Sequence, residues 1–343
     1  MECFFEVINN INTYNDNIIA TVIEGECLGE KVVLSQEKVL YESHENSFLG
    51  MHKKEIHANY LRGNLEIEGQ RLFCELQGCE KKLVICGGGH VSIPIIKMGR
   101  MLDFTVTVIE DRPLFADHAR IASANEVICD DFSKALKKIK GDKDTYFVIV
   151  TRGHRYDQAC LEEIFNKPHA YIGLIGSKIR IKKVKELMME KNFPKEELDK
   201  IYAPIGLSIG AETPQEIAVS IMAEIIQVKN TERRNGGYPK EILKAINKEE
   251  TKKVPKMIAT IVSRKGSAPR QVGTKMLIYR DGTIVGTIGG GCVEADICRN
   301  AQVLFSTGDL KAKLYSVDMT GNDAEEDGMV CGGVVEILLE PIY

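Results

Sequence analysis

The sequence contains no tryptophan, no long apolar run and no strong excess of either charge. The missing tryptophan excludes no class of protein. Without a run of about 20 apolar residues, we expect no membrane-spanning helix. A formal net charge of −4 over 343 residues gives no field that would favour a nucleic acid or a membrane surface. We therefore expect neither of these as a partner.

The N-terminus and the cysteines also lack the features of an exported protein. The first residues, MECFFEVINNINTYND, have no basic start and no small-residue cleavage site, so we predict no signal peptide. The ten cysteines form no regular framework, and Cys86, Cys129 and Cys160 lie in or beside apolar runs. Cys74 and Cys79 are spaced unlike a zinc knuckle. We expect most of these thiols to be free and buried, in a reducing cytoplasm.

The middle third, bounded as 81–228, alternates between strand-like and helix-like patterns. KKLVICGGGH is an apolar strand that ends in glycines, HVSIPIIKMGRML is typical of a helix, and FTVTVIEDR is a second strand that ends in acids. Further strands are predicted at YFVIVT and AYIGLIG, and Thr213 with Glu216 forms a capping box for the last helix. This alternation indicates an α/β fold with a Rossmann-type, doubly wound parallel sheet.

Two small α+β domains are predicted to flank this sheet. The C-terminal one, 256–343, contains KMIATIVSR and a hairpin around Arg-Asp-Gly. Residues 1–80 align with it, since IIATVIEGECLGEKVVLSQEKVLY matches MIATIVSRKGSAPRQVGTKMLIYRDGTIVG. We predict a degenerate copy that has lost the Gly-Ser-Ala-Pro-Arg and Gly-Gly-Gly-Cys loops, the alternative being a chance likeness. The polar, glycine-rich stretch 229–255 is predicted to be a linker.

The first glycine loop, CGGGHVS, is of the kind that holds nucleotides. Gly87 and Gly89 allow a tight turn and the close approach of a pyrophosphate to a helix N-terminus. Glu110 follows at the distance expected for a residue that binds a ribose hydroxyl. His90, at the helix start, either contacts the phosphate or caps the helix. We expect a dinucleotide or a pterin dinucleotide here, the alternative being a vestigial site.

Polar residues follow two further strands at the edge where open α/β sheets bind ligands. In TRGHRYDQACL, the side chains of Arg152, His154, Arg155 and Asp157 are candidates for an anion site or a proton-transfer pair. Gly176 and Ser177 precede a basic helix and suit a phosphate. Solvated surface loops would have the same composition, so this interpretation stays open beside the functional one.

A second glycine loop, GTIGGGCVEAD, leads a strand into a helix that begins near Cys292. The triplet consists of Gly289, Gly290 and Gly291. Consecutive N–H groups form an anion cradle, and the positive end of the helix lowers the pKa of a thiol placed there. A thiolate at Cys292 can ligate a soft metal or carry sulfur as a persulfide.

Three further residues of the same domain are candidates for this site. Cys331 lies beside two more glycines in MVCGGVVE. Ser267 and Arg270 supply a hydroxyl and a guanidinium that suit a phosphate or a carboxylate. The alternative is that both cysteines are incidental residues of tight turns.

These segments resemble the XdhC/CoxI family, whose members are accessory proteins of xanthine dehydrogenase and related molybdenum hydroxylases. GSAPRQVGTKML, GTIGGGCVEADI and CGGVVEILLEPI are similar to blocks of that family. ICGGGHVSIPIIKMGRMLDFTVTVIEDRPLFA, TRGHRYDQACL, YIGLIGSK and APIGLSIGAETPQEIAVSIMAEII are similar to its Rossmann-type domain. Together the similar segments extend over residues 81–343.

The resemblance implies a cofactor carrier or chaperone rather than a turnover enzyme. It implies that the chain binds the molybdenum cofactor (molybdopterin), supports sulfuration with a cysteine desulfurase, and delivers the cofactor to a xanthine dehydrogenase-like hydroxylase. Cys292 or Cys331 would then meet the molybdenum or the transferred sulfur, and Arg270 the phosphate. Two other functions stay open, an NAD(P)-dependent oxidoreductase that uses the Gly87 loop and an assembly factor that holds no cofactor.

The order of the domains departs from the family pattern. In the arrangement typical of the family, the domain with the Gly-Ser-Ala-Pro-Arg loop precedes the Rossmann domain, whereas here it follows. A dimer would restore the usual pairing of the Gly87 and Cys292 loops, so we predict a homodimer.

Overall fold

The chain divides into two compact units, residues 1–79 together with 234–343, and residues 80–233. The computed structural model describes residues 3–13, 15–78, 80–231, 236–248, 250, 254–266, 270–319 and 333–342, with the backbone alone at Cys292. Within these ranges, no helix combines the length and the apolarity required to cross a bilayer.

The N-terminal residues form an antiparallel sheet with short helices. The elements are α1 (Phe4–Asn9), β1 (Asn17–Glu24), β2 (Lys31–Ser35), β3 (Lys38–Glu42), α2 (Phe48–Met51), α3 (Lys53–Asn59), β4 (Asn64–Ile67) and β5 (Gln70–Gln77). The strand order is β3-β2-β1-β5-β4, and every pairing is antiparallel. Because side chains alternate along a strand, one face of β1 presents Ile18, Ala20 and Val22, which pack with Ile56 of α3.

The second unit is an alternation of parallel strands and helices. The elements are β6 (Lys82–Cys86), α4 (Ser92–Met101), β7 (Thr105–Ile109), α5 (Pro113–Ile121), β8 (Glu126–Ile128), α6 (Phe132–Lys138), β9 (Thr145–Ile149), α7 (His154–Ile164), β10 (Tyr171–Leu174), α8 (Lys178–Glu190), α9 (Lys195–Leu198) and α10 (Pro214–Thr231). The strand order is β10-β9-β6-β7-β8. The predicted capping box is confirmed, since Thr213 N–H donates to Glu216 Oε2 at 2.9 Å and Glu216 N–H donates to Thr213 Oγ1 at 3.3 Å.

Helices cover both faces of this parallel sheet. Leu83 and Ile85 of β6 belong to a buried cluster with residues of α4, α5 and α10. Val84 and Cys86 belong to a second cluster, with residues of α6, α7 and α8. From β6 the chain runs to β7 and β8 on one side and then returns to β9 on the other. The neighbours β6 and β9 therefore flank the point where strand order reverses, and the doubly wound sheet predicted from the sequence is confirmed.

The C-terminal residues form a second antiparallel sheet. The elements are α11 (Lys240–Asn247), β11 (Lys256–Gly266), β12 (Lys275–Tyr279), β13 (Ile284–Gly286), α12 (Gly291–Thr307), β14 (Lys313–Asp318) and β15 (Gly333–Ile342). The strand order is β13-β12-β11-β15-β14. The predicted hairpin around Arg-Asp-Gly joins β12 to β13. Val293 and Ile297 of α12 pack on Met257 and Ala259 of β11.

The two antiparallel sheets share one topology. Their strand orders correspond position by position. The pairing register shifts after Val22 in β1 and at the corresponding place in β11, after Ile261. Where the C-terminal sheet has the glycine triplet and the 17-residue α12, the N-terminal sheet has the short helices α2 and α3 and a single 3-10 turn, Tyr60–Arg62. The predicted fold class, a doubly wound sheet with two small α+β domains of which one copies the other, is confirmed.

The two sheets pack face to face through corresponding residues. One buried cluster contains Ile19 and Val33 of the N-terminal sheet with Ile258 and Leu277 of the C-terminal sheet. A second contains Ile23, Phe73, Val262 and Leu338. Each surface therefore meets the surface that corresponds to itself, which is the geometry of a two-fold symmetric dimer, here within one chain.

Two ion pairs cross this interface in reciprocal positions. Lys275 Nζ lies 2.8 and 2.6 Å from the two carboxylate oxygens of Glu75. Lys31 Nζ lies 2.9 Å from Glu340 Oε1. The two lysines occupy the same register position in their sheets, as do the two glutamates.

The segment 229–255, predicted to be a linker, contains a helix. α10 continues to Thr231, and α11 buries Ile242 and Ile246 against the interface between the sheets. These isoleucines lie four residues apart and therefore share one helix face. Along the chain, the boundaries between the compact units fall at 79/80 and 233/234. The domain limits drawn from the sequence stay predictions.

Candidate functional site

One edge of the parallel sheet gathers most of the residues singled out in the sequence. Since all its strands run in one direction, the loops that follow β6, β7, β9 and β10 meet at the same edge. These loops carry Gly87, Gly89, His90, Glu110, Arg152, His154, Gly176 and Ser177.

The first two glycines of the Gly87 loop are packed against backbone. Gly87 has a φ of +116°, and a Cβ there would lie 2.6 Å from the carbonyl oxygen of Val150. A Cβ at Gly88 would lie 2.8 Å from the carbonyl oxygen of Phe115. At Gly89, by contrast, no atom of the described residues lies within 4 Å of a Cβ. The loop is therefore closed on its inner side and open at its tip.

The tip of this loop presents unused backbone donors. Among the described residues, no acceptor takes a hydrogen bond from the N–H groups of Gly89, His90 and Val91. α4 begins at Ser92, whose hydroxyl donates to the carbonyl oxygen of Gly87 at 2.6 Å. Adjacent N–H groups at the start of a helix favour an anion. His90 is exposed beside them.

Glu110 lies beneath the loop, 1% exposed. Its carboxylate accepts hydrogen bonds from Gly88 N–H at 2.7 Å and from Arg112 N–H at 3.2 Å. The guanidinium of Arg112 donates two more, from Nε at 2.8 Å and from Nη2 at 3.1 Å. Glu110 therefore ties the end of β7 to the glycine loop, and its predicted contact with a ribose hydroxyl stays a prediction.

Arg152 is held in a fork by Asp111. Nη1 donates to Oδ1 at 2.6 Å and Nη2 donates to Oδ2 at 2.8 Å. The Arg152 guanidinium lowers the pKa of the Asp111 carboxyl below its usual value, chiefly through these hydrogen bonds. It also donates to the hydroxyl of Tyr156 and lies 4.2 Å above that ring.

Asp157 is fully buried and orients Arg180, which sequence reasoning did not single out. The carboxylate accepts from the hydroxyl of Thr151 at 2.7 Å and from Arg180 Nε at 2.8 Å. Burial raises the pKa of Asp157, and the hydrogen bonds from Thr151 and Arg180 oppose that shift. The hydroxyl of Ser177 caps α8 by accepting from Arg180 N–H at 3.3 Å. His154 begins α7 and is exposed.

In the C-terminal domain, the second glycine triplet forms an open turn. Gly289, Gly290 and Gly291 have φ values of +131°, +72° and +61°, a backbone that favours glycine. Glu294, in the first turn of α12, accepts from Gly290 N–H at 3.2 Å and from the hydroxyl of Thr287 at 2.7 Å. The protein's own carboxylate thus occupies one donor of the predicted anion cradle.

The remaining predicted residues of this domain are only partly described. Cys292 is the second residue of α12, and its side chain lies outside the described atoms, as do Ser267 and Cys331 entirely. Arg270 is exposed. Burial raises the pKa of the Cys298 thiol, further along α12. Within the described ranges, no group of three or more His, Cys, Asp or Glu side chains is placed to hold a metal ion. The roles proposed for these residues stay predictions.

The two ends of the Gly87 loop should respond differently to alanine. Gly87→Ala forces a positive φ on alanine and a clash with Val150, so we expect a loss of about 1–3 kcal/mol in the free energy of unfolding. Gly89→Ala should change it by less than about 0.5 kcal/mol. Urea denaturation followed by circular dichroism measures both, and equal stability of the two variants would contradict the packing described here.

Three known proteins or structures are similar to this chain. The uncharacterized protein YqeB of Escherichia coli (strain K12) is 31% identical over 165 residues, 46% of this chain and 29% of that protein. A probable xanthine dehydrogenase subunit of Bacillus subtilis (strain 168) is 32% identical over 148 residues, 43% of each chain. The crystal structure of a xanthine dehydrogenase from Bacillus halodurans superposes with a TM-score of 0.50 and 25% identity, over 67% of this chain and 64% of that chain. The chain thus spans less than two thirds of the length of each relative.

Two family models match the chain in separate segments. Residues 83–225 match the XdhC Rossmann domain. Residues 251–316 match the XdhC and CoxI family. The two segments together make up more than half of the chain, and they follow each other in the order inferred from the sequence. The chain belongs to the XdhC and CoxI family.

Proposed function

We propose that this chain is an accessory factor that binds the molybdenum cofactor and supports its sulfuration and insertion into a xanthine dehydrogenase-like hydroxylase. One observation carries the proposal. Two glycine turns, each opening onto a helix start, occur in one chain of this family, at Gly89 and at Gly290–Gly291. Two relatives that bear the name xanthine dehydrogenase support such a protein as the partner.

Molybdopterin is the cargo in this proposal, and its chemistry suits the residues present. It carries a terminal phosphate, two dithiolene sulfurs and a soft metal. The unused N–H groups at the tip of the Gly87 loop, with Arg152 nearby, suit the phosphate, and so does the second glycine loop with Arg270. Cys292 and Cys331 are the proposed contacts of the metal or of the sulfur destined for it, because thiolates bind soft metals.

Two protein partners complete the proposal. A cysteine desulfurase would supply the sulfur that the cofactor receives. A second copy of the chain would place the Gly87 loop of one protomer near the Cys292 loop of its partner. Because the N-terminal sheet covers the corresponding face of the C-terminal sheet within one chain, such a homodimer must use another surface.

Cofactor content tests the proposal directly. Protein purified without oxygen should release a pterin, detected by its fluorescence after oxidation, in near-stoichiometric amount. Gly89→Asp places a carboxylate at the open tip of the loop, where no described atom lies within 4 Å of a Cβ. This variant should fold and lose the pterin by charge repulsion, whereas Gly89→Ala should keep it. Folded wild-type protein without pterin would favour an assembly factor that holds no cofactor.

A further inference from the structure

Glu110 has no acceptor capacity left for a ribose. A carboxylate offers about four lone-pair sites, and Glu110 accepts four hydrogen bonds, from Gly88 N–H, Arg112 N–H and two guanidinium N–H groups. A ribose hydroxyl could reach the carboxylate only by displacing one of these donors. Displacing the guanidinium would leave a buried carboxylate without its counter-charge, which is costly. The cleft is therefore poorly suited to a bare ribose.

Two arginines flank this carboxylate. Arg112 Nε lies 2.8 Å and Arg152 Nη1 lies 3.7 Å from the same oxygen, Glu110 Oε1. Each guanidinium stacks on an aromatic ring, that of Phe115 at 3.7 Å and that of Tyr156 at 4.2 Å. Stacking and forked pairing fix both groups before a ligand arrives, which reduces the entropy lost on binding.

Both arginines keep donors for a ligand. A guanidinium has five N–H groups. Arg112 donates two of them to the Glu110 carboxylate. Arg152 donates two to the Asp111 carboxylate and one to the hydroxyl of Tyr156. Each side chain is 36% exposed, and among the described residues no further hydrogen bond from either guanidinium is formed. The two arginines carry the same total charge as Glu110 and Asp111 with opposite sign, so the cluster is neutral and does not attract every anion by net charge.

We infer that Arg112 and Arg152 form a subsite for a phosphate monoester beside the Gly87 loop, so that the cleft prefers a ligand with a terminal phosphate to the same ligand without it. Guanidinium–phosphate contacts are strong because they are charge-assisted and often bidentate. In dinucleotide clefts, an arginine near this strand end accommodates a 2′-phosphate, while a free acid binds the 2′-hydroxyl. Phosphate preference at this cleft does not depend on the carrier role proposed above.

Two sources of such a phosphate can be told apart with matched ligand pairs. One pair is 2′,5′-ADP and 5′-AMP, which differ only in the 2′-phosphate. The other is neopterin phosphate and neopterin. Calorimetric titration of the full chain should show, in one of the pairs, that the phosphorylated member binds about tenfold or more tightly. The responding pair identifies the source. Equal affinity within both pairs, or no binding of any of the four ligands, would overturn the inference.

Variants assign the preference to the two arginines. Arg152→Gln should abolish it. Arg112→Gln alone would strand the buried Glu110, so the double variant Glu110→Gln/Arg112→Gln keeps that pair neutral and should also lose the preference. Arg120→Gln, on the helix that Arg112 precedes and paired at the surface with Asp117, should retain it. Circular dichroism verifies the fold. A preference that survives in Arg152→Gln and in the double variant would place the phosphate elsewhere and refute the subsite.

Discussion

Lys275→Met is expected to lower the free energy of unfolding by about 3–5 kcal/mol, because it breaks a buried ion pair by removing one partner. The side chains of Lys275 and Glu75 are 1% and 5% exposed. Glu75 also accepts a hydrogen bond from Gly237 N–H at 2.8 Å. Burial lowers the pKa of the Lys275 ammonium, and the Glu75 carboxylate opposes this shift. Without the ammonium, the carboxylate would be left buried and uncompensated.

Urea denaturation of the full chain measures this effect against three comparisons. The double variant Glu75→Leu/Lys275→Met should recover most of the loss, since no buried charge remains. Lys31→Met, in the reciprocal and more exposed pair, should cost less than Lys275→Met. Lys182→Met, at an exposed pair on α8, should change stability by less than about 0.5 kcal/mol. A Lys275→Met variant as stable as the wild type would show that the pair contributes nothing.

Cys292→Ser is expected to keep the fold and to reduce activation of the partner hydroxylase to the level seen without the factor. Serine is nearly the size of cysteine but forms no thiolate at neutral pH. Cys292 is the second residue of α12, and a helix N-terminus in general favours a thiolate over a thiol, which is the reason for this prediction. Activation assays with the apo-hydroxylase, a cysteine desulfurase and the cofactor measure the loss.

Cys298 is the matched control on the same helix. It lies beyond the first turn, where the dipole effect has faded, and burial raises the pKa of its thiol. Cys298→Ser should therefore activate the hydroxylase almost as the wild type does. Alkylation followed by mass spectrometry should show Cys292 reacting faster than Cys298 near neutral pH. Equal alkylation rates, together with full activation by Cys292→Ser, would assign Cys292 a structural role and leave Cys331 as the thiol to test.

The parts of the fold that the sequence predicts are encoded locally. The strand–glycine–helix order at β6 and α4, the capping box at Thr213 and the turn between β12 and β13 each depend on neighbouring residues. The repeat is also visible in the sequence, because β1 and β11 are similar apolar runs, each buried along its first seven residues. The edge that gathers the site then follows from the parallel strand order.

The rest depends on residues that are distant in sequence. Lys275 and Glu75 are separated by 200 positions. A lysine within an apolar strand indicates that a buried counter-charge is present, but the sequence does not identify that residue. Arg180 acquires its role because β9 and β10 are neighbours, which brings Asp157 to it. That the Glu110 carboxylate already accepts four hydrogen bonds is evident only from the positions of its donors in the structure. Spacing along the chain indicates which residues share an edge, but it does not fix which of their atoms are already occupied.

The contact between Arg71 and Glu336 shows how unlike residues at corresponding positions can favour the pairing of the two sheets. The two residues hold corresponding positions, opposite Glu24 and Ser263, and lie 2.8 Å apart across the interface between the sheets. In a symmetric pair of identical domains, this position would face itself, and two glutamates or two arginines would repel each other. Two sheets of different sequence can place opposite charges there. The Arg71–Glu336 pair therefore favours packing of the N-terminal sheet on the C-terminal sheet of the chain over a symmetric packing of two C-terminal sheets.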